Sequence, residues 1–250
     1  MNMRCRSTFA PRFNWRSGLG LRQGLENDLR MLVDLHNPHR LWTEMTGGAL
    51  VGQIRLAAPE DLVGSSLHPI LRTFAVSYPA VEISLIAAPS AEVSRALDNG
   101  MADLGLVEEP AGCSTRYEQL RADRLVWIGV PDGTAYDRCP LPLSFAAINC
   151  AFRLAVEAAL AAKGRSWTAV LDSKGTETTL AAIRADLAVG VWLESIVPAG
   201  VQVLSHASLP ALPAFSIGLG MPSKLRPLPA ALALAQALRG GLRERAIPGG

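Results

Sequence analysis

From Val51 onward, apolar and polar positions fall into short, regular blocks. Ile54, Leu56 and Ala58 alternate with Gln53, Arg55 and Ala57, the period-two pattern of a strand. Pro59-Glu60-Asp61 ends that strand. Ser65 or Ser66 is then placed to cap a helix whose apolar face is Leu67, Ile70, Leu71, Phe74 and Tyr78. Pro69 falls in its first turn, where a missing N–H does little harm, and Tyr78-Pro79 stops it. Val81, Ile83 and Leu85 predict a second strand, and Pro89-Ser90 opens a second helix with Val93, Ala96 and Leu97 facing inward. Gly100 is the left-handed stop of that helix, and the apolar run Ala102 to Val107 predicts a buried parallel strand. A further strand, Leu125 to Val130, ends at Pro131-Asp132-Gly133.

The second half repeats this logic. Strands are expected over Leu141 to Phe145, Trp167 to Leu171, Ala188 to Leu193 and Val201 to Leu204. Helices are expected over Ala151 to Ala162, closed by Lys163-Gly164, and over Thr176 to Leu187. Phe215 to Leu219 looks like a strand returning to the first unit, and Ala231 to Leu242 like a closing helix with Leu234, Leu238 and Leu242 aligned. The pattern defines an α/β fold of two Rossmann-like βαβ lobes around a ligand cleft, where strand ends and helix starts converge.

Composition narrows the reading. With 250 residues, 49% of them hydrophobic, the chain can bury a large core, and 18% charged residues argue against long disorder outside the ends. A net charge of +2 does not by itself point to nucleic acid or membrane. Arg4, Arg6, Arg12, Arg16 and Arg22 all precede Glu26, so the start is locally basic; a solvated tail explains this more simply than phosphate contacts from Phe13 and Trp15. Residues 1–48 show no sustained period and read as a leader. Cys5, Cys113, Cys139 and Cys150 are scattered, as reduced cytoplasmic thiols would be. Neither a membrane-length apolar stretch nor a secretion signal is visible, so a cytoplasmic location and no membrane partner are expected.

Three motifs then carry a resemblance. Gly52-Gln53-Ile54-Arg55-Leu56, followed by Ser66-Leu67-His68-Pro69-Ile70-Leu71, Phe74 and Tyr78-Pro79, resembles the opening of LysR-type effector domains. Leu97-x-x-Gly100-x-x-Asp103-Leu104-Gly105-Leu106 is similar to their second-helix-to-third-strand signature, and Leu180 through Val191 to the matching element of the second lobe. The resemblance implies a type 2 periplasmic-binding-protein-like fold, with residues 49–250 as the effector-binding domain. Lobe I is then 49–131 and 214–250, and lobe II is 132–213. It also implies a small-molecule effector, a homodimer pairing a first-lobe helix with a second-lobe helix, and a role in transcription regulation. Residues 1–48 are too short for the family's winged helix-turn-helix and linker helix; they read as a leader or linker-helix remnant. DNA is expected as a partner only if a reader domain is supplied or the basic leader contributes.

Ser65, Ser66, Ser90 and Thr176 fall where helices follow strands, and with Ser173 they can hold an anion in the cleft or merely cap their helices. Glu60 and Asp61, in the loop after the first strand, would repel an anion and suit an amine or a hydroxyl-rich ligand, so the effector's charge stays open. Phe145, Asn149, Cys150 and Arg153 occupy the segment that lines the site in similar proteins. Arg153 can pair with a ligand carboxylate or with Glu157 one turn on, and Cys150 reads better as an inert thiol than as a redox sensor. His36 and His39 are separated by Pro38 and make a poor metal site; Trp127 and Trp192 read as core or cleft wall. No nucleophile elbow, zinc-protease motif or dinucleotide loop occurs, so no enzyme activity, cofactor or metal is expected. The alternatives are a solute-binding protein of the periplasmic type and a regulator fragment without DNA binding.

Overall fold

The computed structural model describes residues 50–113, 116–172, 175–223 and 226–243. The leader expected over 1–48 and the candidate Ser173 lie outside the described residues. In the first lobe, β1 (Gly52–Ala58) lies between β2 (Val81–Ala87) and β3 (Leu104–Pro110), parallel to both. Antiparallel β9 (Ala214–Gly220) lies beside β3, and the long β4 (Glu118–Gly129) beside β9. Helix α1 (His68–Ser77) and α5 (Pro229–Arg243) pack on one face of this sheet, with Ile70, Phe74, Leu234, Leu238 and Leu242 in the main core beside Ile54 and Leu56. Helix α2 (Ser90–Asp98) covers the other face through a separate cluster of Ala57, Val93, Leu97, Ala102 and Val107. That is why the alternating residues of β1 are buried on both sides.

In the second lobe, β5 (Leu141–Phe145) runs parallel to β6 (Trp167–Asp172) and is bridged to β7 (Gly190–Leu193) through Leu143 and Val189. β7 and β8 (Gln202–Val203) flank the C-terminal half of β4. Helices α3 (Arg153–Ala162) and α4 (Thr176–Arg184) complete the lobe.

Two differences from the sequence reading have clear causes. First, β4 begins at Glu118. It pairs with β9 up to Arg124 and with β7 from Leu125. Its first half, Glu-Gln-Leu-Arg-Ala-Asp-Arg, is too polar to read as a strand; Leu120, Arg121 and Asp123 are nevertheless buried. Second, the helix after β1 starts at Glu60, with Pro59 as its N-cap, and reaches α1 through a π-helical turn, Val63–Leu67. Ser65 and Ser66 are therefore inside the helix and cap nothing; the Ser65 hydroxyl donates to the Asp61 carbonyl at 2.6 Å. The wide turn lies just before Pro69, whose missing N–H and ring are incompatible with a regular α-ladder there.

Candidate functional site

The C-terminal ends of strands from both lobes face one another across a cleft of about 550 Å³. From the first lobe come Pro59, Glu60 and Asp61 after β1, Ala87 to Ser90 after β2, Glu92 on α2 and Glu108 on β3. From the second come Ser144 and Phe145 at the end of β5, the segment 146–152, Gly175, Thr176 and Thr179 at the start of α4, and Val191 and Trp192 on β7.

Each of these helices begins without a side-chain cap. Pro59, Pro89 and Gly175 occupy the cap positions of the Glu60, Ser90 and Thr176 segments. The Ser90 hydroxyl instead accepts the Glu108 backbone N–H at 2.9 Å, which ties α2 to β3. At the start of α4 the Thr176 N–H donates to the Glu60 carboxylate of the other lobe at 2.9 Å. A protein carboxylate thus sits where a helix N-terminus would hold an anion. A second contact spans the mouth: the Asn149 amide donates to Glu92 Oε1 at 3.2 Å.

The lining carries the carboxyls of Glu60, Asp61, Glu92 and Glu108, and among its described residues no Lys, Arg or His. The Asp61 and Glu108 side chains lie against one another. Burial pushes the Asp61 carboxyl up to about 6, and burial together with the charge of Asp61 pushes Glu108 well above the usual range. Two carboxyls placed this way titrate as a pair. Burial, reinforced by the nearby charges of Glu108 and Asp61, also pushes the Cys150 thiol up to about 12. Cys150 is therefore kept in the unreactive thiol form.

Of the candidate residues, Glu60, Asp61, Ser90, Phe145, Asn149, Cys150 and Thr176 meet at the cleft. Ser65, Ser66 and Arg153 do not line it. Ser66, within the π-helical turn, is fully buried. Arg153 binds Glu157 at 2.9 Å and lies over the rings of Phe145 and Trp167, outside the cleft lining. Its pairing one turn along the helix is the local alternative that the i, i+4 spacing already offered. Sequence reasoning missed Glu92, Glu108, Ser144 and Thr179. Glu108 and Ser144 end otherwise apolar strands, and a polar residue at the C-terminal end of a buried parallel strand is the signal that points to them.

A two-lobed α/β architecture with antiparallel β9 between β3 and β4, and a cleft at the strand ends, defines a ligand-binding domain of the type 2 periplasmic-binding-protein class. Within that class the chain belongs to the family described as the LysR substrate binding domain, whose model matches residues 47–243. It is 28% identical over 197 residues to the HTH-type transcriptional regulator DgdR of Burkholderia cepacia, covering 78% of this chain and 66% of that protein. Among solved structures it is similar to HinK, a LysR family transcriptional regulator from Pseudomonas aeruginosa, at 18% identity and a TM-score of 0.62, covering 92% of this chain and 82% of that one. It is also similar to the effector binding domain of QuiR in complex with shikimate, at 14% identity and a TM-score of 0.59, covering 77% and 98%. The chain spans 66% of the length of the curated relative it matches.

Proposed function

We propose that this chain senses a small molecule in the interlobe cleft and passes the resulting change in lobe arrangement to a transcription apparatus in the cytoplasm. The observation that carries this reading is the cleft itself: about 550 Å³, apolar-walled, and lined by residues from both lobes. That volume lies within the range typical of small-molecule sites. A ligand touching both walls stabilises one lobe arrangement over others, which is the differential interaction a sensor needs. Among the described residues no helix is long and apolar enough to cross a membrane. The test is a thermal-shift screen of small metabolites against the full chain and against Ala147→Trp, which puts a bulky ring on the cleft lining. A specific binder at 100 times its Kd raises stability by about 2.7 kcal/mol. Binding that survives Ala147→Trp unchanged would place the site elsewhere.

We further read the protein as a homodimer in which helices of opposite lobes pair. Val76 on α1 is 78% exposed and Leu154 on α3 is 79% exposed, and edge strands β2 and β6 expose Leu85 and Val170. Such a pairing would cover these apolar positions, which otherwise face water. Light scattering at tens of micromolar should give twice the chain mass, and the Val76→Glu/Leu154→Glu double variant should run as a monomer. DNA contact is part of the proposal only through a reader domain or the basic residues near the start.

A further inference from the structure

We propose that the effector is a small organic amine, its protonated nitrogen held by the paired carboxyls of Asp61 and Glu108 and a hydrogen-bond acceptor turned toward Trp192. This inference rests on the cleft being the effector site and specifies the chemistry of what enters it.

The charge of the lining is the first observation. The four carboxyls are opposed, among the described lining residues, by no basic side chain. Two of the four already span the mouth, Glu60 on the Thr176 N–H and Glu92 on Asn149. That leaves Asp61 and Glu108 as the acidic pair deeper in the cleft. An anion is doubly disfavoured, because the α4 N-terminus that would attract it is occupied by Glu60.

The second observation is independent of charge. Four cleft-lining polar side chains are more than nine-tenths buried and hold an atom with no hydrogen-bond partner: Glu108 Oε1 (7% exposed), Ser144 Oγ (2%), Thr179 Oγ1 (2%) and Trp192 Nε1 (4%). Buried polar atoms are nearly always satisfied, and each one left without a partner is costly. Such atoms gathered at one cleft mark it as built for a partner. Glu108 Oε1 calls for a donor. Trp192 Nε1 can only donate, so it calls for an acceptor, and the two hydroxyls serve either need. Lobe I therefore asks for N–H groups and lobe II for at least one acceptor. Between them Phe145, Ile148, Phe152 and Val191 ask for an apolar body.

A metal ion is the competing cation. Among the described residues no group of three His, Cys, Asp or Glu side chains is arranged to hold one, and the apolar lining suits an organic cation better than a bare ion. An ammonium seated between Asp61 and Glu108 favours the ionised form of both raised carboxyls, so its binding releases protons. The other titratable groups near the pair are Glu60 on the same helical turn and the Cys150 thiol before α3, and Glu92 from α2 lines the same cleft.

The experiment is calorimetry on the full chain with matched series: tyramine, tyrosol and para-hydroxyphenylacetate; phenethylamine, phenethyl alcohol and phenylacetate; ethanolamine, ethylene glycol and glycolate. In at least one series the amine should bind tenfold or more tightly than its alcohol and carboxylate. It should release protons, seen as a buffer-dependent heat, and should weaken tenfold or more in both Asp61→Asn and Glu108→Gln. An alcohol or carboxylate that matches its amine overturns the proposal, as does an amine preference that persists in the double variant. No binding by any member up to tens of millimolar overturns it too. A carboxylate whose binding is abolished by Ala147→Trp would refute the amine while leaving the sensory cleft intact. An amine whose binding ignores Ala147→Trp would refute the cleft reading itself.

Discussion

Glu108 shows how a single side chain can run against the stability of its own fold. Its backbone is a normal β3 residue, but its carboxyl is buried against Asp61, with one oxygen lacking a partner. Both carboxyls are raised above their ordinary values, Asp61 to about 6 and Glu108 higher still. The folded chain therefore holds more protons than the unfolded one above the ordinary carboxylate range. Their contribution to stability is fully present below that range and is lost as pH rises through about 6 and beyond. Glu108→Gln keeps the shape and removes the charge. We expect it to raise stability by on the order of 1–2 kcal/mol at about pH 8 and to change little at about pH 5, measured by urea unfolding at both. Cys150 makes the complementary prediction. Its thiol, pushed up to about 12, should resist maleimide at neutral pH while the exposed Cys113 and Cys139 label first, as peptide mapping after a short pulse would show. The Glu60-Asp61 pair was legible in the sequence as an obstacle to an anionic ligand. Glu108 was not, because the expected strand stopped at Val107, one residue before it.

At the scale of elements, the two lobes solve the same packing problem with the same residue. A Cβ on Gly105 of β3 would come within 2.8 Å of Leu97 and Val93 on α2, and one on Gly190 of β7 within 2.5 Å of Ile183 on α4. Each glycine lets a helix lie close on its strand. This is the physical content of the motif pair that carried the family resemblance. Gly105→Ala should cost about 1–3 kcal/mol by overpacking, measurable as a lowered urea midpoint with an unchanged slope. Asp103 of the first motif belongs to the same joint: it accepts from the Arg55 backbone at 2.8 Å and pairs with the guanidinium at 2.7 Å. That ion pair holds its carboxyl below the usual range. Strand β4 is the element that sequence periodicity handled least well. Where it passes between lobes, Arg121 and Asp123 are buried together, and the Ser195 hydroxyl beyond β7 donates to Asp123 while accepting from Arg121 at 2.6 Å. Asp123→Ala takes the Asp123 carboxylate away from the buried Arg121 guanidinium. It should destabilise by about 3–5 kcal/mol, read by thermal unfolding, whereas a surface carboxylate change should cost little.

For the whole molecule, what matters is how the lobes are held across the cleft. Glu60 and Thr176 lie on different lobes and 116 residues apart in sequence, yet one hydrogen bond joins them and caps α4. Glu60→Ala should cost about 1 kcal/mol, as lost caps do, and hydrogen exchange should quicken at the first amides of α4 and not at its last turn. The order of strands and helices, the two-lobe repeat and the family were already written in local pattern, because apolar periodicity and glycine or proline punctuation act over a few residues. Only the tertiary structure decided which polar residues are alone in the dark. Asp61 meets Glu108 and Glu60 meets Thr176, and these outcomes depend on where distant strand ends come to rest. Burial and partnership are properties of that assembled surface, and no window along the chain contains them.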